Sequence, residues 1–430
     1  MFCGVILQKN ITVMAYQERT TTSYGQRLGK SGKGIGTGFL LLIAGTVLLW
    51  INEGRAVKTT RMLNEAEKTA IHVEDVSTVN PELDGKLIHA TGQVTTSDSL
   101  TDPIFGAGAV AVRMDREVEY YQWVENKHEE TKDKIGGGQE TITTYTYEKE
   151  WVGRPIESAE FKDPEYKGLN FTLANVEDKI QYAGNVHFGA YRMPDCLIRQ
   201  MSGRDPVEPV FTESIRNEWE TSVKSVLAGR FPNDSTLAGN EYVHVNGNVV
   251  YFGRNANIPE IGDVRVTLTK VLPREVSLIA QVYQDNLKEY KAKNGKSFST
   301  LTMGAEDMET MFSSEHSKNS TLTWILRIAG ILLIVFGLKS ITAILVTLFK
   351  VLPFLASIAN FGVGAICWII GLIWSIIVIA VAWIFYRPVL GVSLLVGAAV
   401  LTWYFIRRGK SVKPASEEVQ PDIVDKTNQE

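Results

Sequence analysis

The sequence predicts a membrane protein with four transmembrane α-helices, one N-terminal and three C-terminal. They carry a large strand-rich α+β domain placed outside the cytoplasm or in a lumen. Three observations predict this class. An apolar run from Gly36 to Ile51 gives way abruptly to polar sequence. Between 320 and 406, Lys, Arg, Asp and Glu nearly vanish, over a length no core helix reaches. The segment between these regions, 52–320, has ordinary globular composition with repeated strand-like alternation. Averages over the 430 residues hide the bunching, at 45% hydrophobic and 21% charged with a net charge of −4. That near-neutral balance excludes a general nucleic-acid binder, which needs a concentrated basic surface. Cys3, Cys196 and Cys367 fall in three separate regions and frame neither a disulfide set nor a cysteine-rich zinc site.

Residues 1–35 read as a basic cytoplasmic segment carrying Arg19, Arg27, Lys30 and Lys33, with Met14 offering an alternative start. The span 36–51 is at the short limit for crossing, and Trp50 sits as an interfacial anchor. Trp50, Asn52 and Glu53 make a poor cleavage site, so the run is an uncleaved anchor and not a signal peptide. From Asn52 to Ala70, few β-branched residues predict a helical stalk, with Arg55 meeting headgroups or an acidic residue of the domain.

Within the domain, Lys86–Thr95 alternates as a strand, and Val110–Glu125 with Thr141–Val152 form the arms of a long hairpin. Gly136-Gly137-Gly138 and charged flanks mark its solvated tip, a candidate surface for protein partners. Tyr242–Arg254 is a second hairpin turning at Asn246-Gly247. Val264–Leu272 and Val276–Tyr283 form a third, while Ser214–Leu227 has helical spacing. The second span, 322–338, requires Arg327 to snorkel beside Trp324. A connection at 339–364 lies at the interface or prolongs the helix, and Asn360, Gly362 and Gly364 break it. Spans follow at 365–385 and 388–406, separated by the turn Tyr386-Arg387-Pro388, and then a polar disordered tail, 407–430. Arg407, Arg408, Lys410 and Lys413 place that tail, and with it the N-terminus, in the cytoplasm. Gly362, Gly364, Gly371, Gly391 and Gly397 permit close helix contact.

Chemistry-bearing motifs are weak. Gly25 to Ser31 mimics a phosphate-binding loop, but three residues separate its glycines where four are needed, and a membrane span follows. The six histidines (His72, His89, His128, His187, His244, His316) show no helical pairing or zinc-type spacing. Glu148 and Glu150 share a strand face, as solvated strands often have it. In Tyr120-Tyr121-Gln122-Trp123 the alternation reads as core packing with a cross-strand ladder, not a ligand platform. No catalytic, cofactor or metal residue is nominated.

Several stretches together carry a family resemblance. Asn52-Glu53-Gly54-Arg55 ends the first span, and Asp84 to His89 follows. Then come Leu100-Thr101-Asp102-Pro103 and Val118 to Glu125, which includes Tyr121, Gln122 and Trp123. Pro259 to Val266, with Gly262 and Asp263, and Trp383 to Pro388, with Tyr386 and Arg387, complete the set. In this order the motifs resemble the transmembrane protein 43 (LUMA) family from about residue 34 to 406, with 161–204 matching poorly. The resemblance implies four spans, a large outer or luminal domain and a non-enzymatic role. Eukaryotic relatives organise complexes at the endoplasmic reticulum and inner nuclear membrane, self-associate, and gather emerin- and lamin-like partners. Bacterial relatives would occupy the plasma membrane. Membrane lipid and further copies of the chain are the partners expected in either case. A channel formed by the C-terminal spans, and a cryptic hydrolase in the outer domain, are the competing readings.

Overall fold

The computed structural model describes residues 16–349, 353–389 and the single positions 393, 396 and 400. Its helical part is built from α1 (Tyr24–Thr69), α3 (Met308–Phe349) and α4 (Pro353–Tyr386). Ser23 and Gln26 start α1 with reciprocal side-chain-to-backbone bonds, a capping box that satisfies two otherwise orphaned donors. Among the described residues, three helices are long and apolar enough to cross a membrane, at Tyr24–Thr69, Met308–Leu348 and Phe361–Tyr386. The expected fourth span, 388–406, and the tail after it lie almost wholly outside the described residues.

Residues Ile341 to Phe349 prolong α3, the second of the two alternatives for that stretch. One expectation about these helices changes. α4 then runs unbroken through Asn360, Gly362 and Gly364, because intrahelical hydrogen bonding outweighs a modest glycine penalty within an apolar run. α1 and α3 pack antiparallel, and α1 passes into the domain without a break as the predicted stalk.

The strand-rich body contains an eight-stranded and a seven-stranded sheet. Elements named here are β1 (Tyr16–Thr22), β2 (Ile71–Val73), β3 (Leu87–Thr96), β4 (Arg113–Asp133) and β5 (Gln139–Val152). The helix α2 (Glu213–Arg230) precedes β6 (Val243–Asn246), β7 (Val249–Phe252), β8 (Val264–Val271) and β9 (Glu275–Tyr283). The first sheet has the order β1-β5-β4-β8-β7-β6, and the second is centred on β9 against β3. α2 covers the first sheet through Val223 and Trp219, the latter's ring 4.9 Å from Phe252. Leu63 and Phe312, on α1 and α3, pack with Ile279 and Phe298 of the body, which fixes the stalk to it.

β8 and β9 are strands as expected but not a hairpin. Val264 pairs with Tyr120 in one sheet, whereas Leu278 pairs with Ala90 in the other. The Pro273-Arg274 corner carries the chain between sheets, since each strand has longer apolar partners elsewhere. The first hairpin is also longer than expected. β4 and β5 stay in register from Tyr120↔Val152 to Asp133↔Gln139, forming a ribbon beyond the sheet.

The N-terminal segment holds the largest departure. Residues 16–22 pair along the ribbon, Tyr16 opposite Tyr145 and Thr22 opposite Gln139. Arg27, near the start of α1, reaches the ribbon tip: it bonds Asp133 at 2.7 Å and the carbonyl of Gly137 at 2.9 Å. The sequence Tyr-Gln-Glu-Arg-Thr-Thr-Thr suits an edge strand, and hydrogen bonding to β5 outweighs solvation of a free basic tail. The start of α1 and the ribbon tip thus lie against each other, a contact that the expectation of opposite sides of a membrane did not include.

Candidate functional site

The motif residues gather at two places. The first is the junction where the helical bundle meets the body. Glu53 is fully buried on α1 and receives both the Nε and Nη2 of Arg327 from α3, at 2.6 and 2.9 Å. Trp383 of α4 donates its indole N–H to the same carboxylate at 2.7 Å. The Arg327 guanidinium also lies over the rings of Trp324 and Trp383, at 4.9 and 5.8 Å. A buried carboxylate is stable only when its charge is paired and its lone pairs are met, and here one partner comes from each neighbouring helix. Arg327 does lie beside Trp324 as expected, and its guanidinium is held there by the bidentate bond to Glu53.

Asn52 and Arg55 complete a second shell of bonds one turn away. Asn52 donates to the Thr323 carbonyl at 2.9 Å and accepts from Arg55. Arg55 reaches Asn319 Oδ1 at 3.0 Å and Thr323 Oγ1 at 2.8 Å. Its hydrogen-bond partners are therefore neutral groups of α1 and α3, where a headgroup or an acidic residue of the domain was expected. Gly54 is needed for contact: a Cβ there would stand 2.7 Å from the Tyr386 ring. Arg61 donates to the Tyr386 carbonyl at 2.7 Å, which fastens the end of α4. Arg387 and Pro388, the remaining turn residues, line a cleft with Val57 and Arg61.

The second gathering lies in the first sheet. Tyr121 exchanges backbone bonds with Gly262 and Asp263, both about 3 Å long. Gly262 has φ +101°, and a Cβ would fall 2.5 Å from the Phe171 ring, so only glycine fits that approach. Gln122 is buried, donating to the Phe171 carbonyl and accepting from the Ile156 amide. Tyr121 rings meet Trp151 across the strands, and Trp123 packs edge-on to Tyr166 with Lys149 over its face. Tyr120 points into the core, as the alternation required.

Asp263 is almost fully buried, accepting from the Tyr251 hydroxyl and the Glu260 amide. Burial pushes its carboxyl up to about 6, against which those two hydrogen bonds pull. It borders an apolar cavity of about 400 Å³ with Phe171, Tyr242 and Arg254. Asp102 sits apart from both groups, in a buried ion pair with Arg116 at 2.8 Å, and Pro103 follows it exposed in a turn.

Two histidines that looked scattered do converge. His72 and His89 are opposite each other on the parallel strands β2 and β3, their Nδ1 atoms 2.9 Å apart. His89 is buried, which lowers its basicity, and His72 lowers it further. Among the described residues no group of three or more His, Cys, Asp or Glu could hold a metal.

The family described as transmembrane protein 43 matches residues 120–388 of the chain. Transmembrane protein 43 of Rattus norvegicus is 30% identical over 378 residues, covering 84% of this chain and 87% of the relative. The Homo sapiens protein of that name is 30% identical, over 87% and 90% of the two chains. The Drosophila melanogaster transmembrane protein 43 homolog is 29% identical over 85% and 93%. No solved structure matches. With its spans, its strand-rich body and its motifs accounted for, the chain belongs to the transmembrane protein 43 family.

Proposed function

We propose that this integral membrane protein is a non-enzymatic scaffold that holds other proteins, and copies of itself, at a membrane. The observation that carries this reading is the ribbon of β1, β5 and β4. Within the described residues β1 is its outer strand, largely exposed, with one row of backbone donors and acceptors turned away from β5. Such an edge is a template for a strand from another chain. The competing conduit reading is weakened by the junction. Glu53 and Arg327, ionisable groups within the spans, are spent on each other and on Trp383, which suits a rigid anchor better than a relay.

In a eukaryotic cell this scaffold works at the endoplasmic reticulum and inner nuclear membrane, with emerin- and lamin-like partners. In a bacterium the corresponding place is the plasma membrane. A photo-crosslinking residue at Arg19 or Thr21, on the exposed side of β1, tests the proposal in intact membranes. Repeatable adducts, including chain–chain adducts, are expected. Recovery of monomer alone, with purified protein that conducts ions or consumes a substrate, overturns it.

A further inference from the structure

At the end of the helical bundle away from the body, α1, α3 and α4 enclose a cavity of about 600 Å³. Its walls are apolar where Val346, Phe361, Val363 and Trp368 line it. Its charged groups are of one sign, beside the neutral Gln139, Ser31, Thr342 and Thr347. Lys30 and Lys339 line it with Arg27, and among the described residues no carboxylate lines it. Arg27 is already committed to Asp133 and to the ribbon-tip carbonyls. That leaves the two lysines. Lys339 sits near Trp368 and Phe336, its Nζ 5.8 and 6.0 Å from the ring centroids, and Lys30 is exposed. Ser31 and Thr347, bonded to each other at 2.8 Å, add hydroxyls to the same wall.

The location selects the ligand class. The cavity lies where Lys30 precedes the apolar run of α1 and Lys339 interrupts that of α3, and α4 continues from it as an exposed apolar face through Ile366, Ile369 and Ile373. A paired cationic site opening onto such a face suits a molecule with an anionic head and a hydrocarbon tail. We propose that the cavity holds the headgroup of an anionic phospholipid, its phosphate between Lys30 and Lys339 and its acyl chains along α4. Basic pockets between membrane helices are built for this, each cation adding to the attraction.

Native mass spectrometry of the full chain released from micelles tests the proposal, with phosphatidylglycerol, phosphatidylcholine or inorganic phosphate added in parallel. Retention of phosphatidylglycerol over phosphatidylcholine is expected. Each lysine contributes about fivefold, so Lys30→Ala with Lys339→Ala weakens retention by about 25-fold. Ala343→Leu, which fills the cavity and keeps both lysines, weakens it as well. Equal retention of the two lipids, or retention that neither variant changes, overturns the proposal. So does inorganic phosphate binding as well as phosphatidylglycerol, which would assign the site to a free anion.

Discussion

At the scale of single residues, the Glu53–Arg327 pair decides how the three helices meet. Their separation of 274 positions made the partnership illegible in the sequence, where each charge could be read only against its own span. Hydropathy assigns a lone arginine to the interface; only the fold brings the carboxylate to it. Removing one partner leaves the other buried and uncompensated. Glu53→Ala is therefore expected to destabilise the bundle by roughly 3–5 kcal/mol, whereas Glu53→Leu with Arg327→Met returns close to the parent stability. Thermal unfolding of the purified chain in detergent checks both, and a double variant no better than the single one refutes the pairing argument. Asp263 makes a pH prediction. Its folded value, about 6, lies above the ordinary 3.8, so its contribution is full below the ordinary value and is lost as pH rises through about 6. His89 has the opposite sign: its basicity is lowered, so its contribution is present above the ordinary 6.5 and is lost as pH falls. In Asp263→Asn the first component disappears, and the variant should gain stability relative to the parent between pH 5 and pH 7.5. Melting temperatures at the two pH values measure it; an unchanged difference would show that Asp263 does not titrate there.

At the scale of elements, the three described spans, the stalk, the long hairpin and α2 were legible because each announces itself locally. A run of apolar residues, a lack of β-branching or a 3.6-residue period needs no partner to be read. Pairing did need one. The strands β8 and β9 looked like a hairpin only because a Pro-Arg corner joins them. The glycines show the same limit. Gly362 and Gly364, singled out by their place in an apolar run, meet no atom of the described residues within 4 Å of where a Cβ would go. Gly371 does touch Val335, and Gly391 and Gly397 lie outside the described residues. The closest approach to the backbone of a neighbouring helix is elsewhere, between α1 and α3. A Cβ on Gly38 would stand 2.7 Å from the Gly337 carbonyl, and one on Gly45 would stand 2.8 Å from the Gly330 carbonyl. Seven residues separate the two glycines on each helix, so they face each other in pairs on one seam. Gly45→Val must push the helices apart, because its neighbour is backbone and cannot rotate away. We expect a lowered melting temperature and weakened α1–α3 packing, while Gly362→Ala leaves both unchanged. Similar losses in the two variants would remove the seam from the account of bundle stability.

At the scale of the whole molecule, the ribbon and the bundle constrain each other. From Tyr121 to Asp133 the ribbon extends about 40 Å, and α1 covers a similar rise between Glu53 and Arg27. The body holds α1 at its far end, where Glu65 bonds Tyr290, while the ribbon tip holds it near its start. The ribbon thus runs to the same depth as the spans. Its outer half, with Lys127, Glu129, Glu130 and Lys132 exposed, cannot face hydrocarbon, where an open strand edge and charged groups find no partners. Protein or water must flank it, and the self-association proposed above is one arrangement that would supply such a cover. The pairing behind this can be tested directly. Thr20 and Thr141 are register partners in β1 and β5. In a background lacking native cysteines, Thr20→Cys with Thr141→Cys is expected to crosslink efficiently with a short bis-maleimide in intact membranes, and both positions should label from the same side. Thr20→Cys with Lys291→Cys, the latter on the body, is the negative control. Labelling of positions 20 and 141 from opposite sides, without crosslinking, would show that the bilayer separates β1 from the ribbon, and would return the N-terminal segment to the compartment its basic residues first suggested.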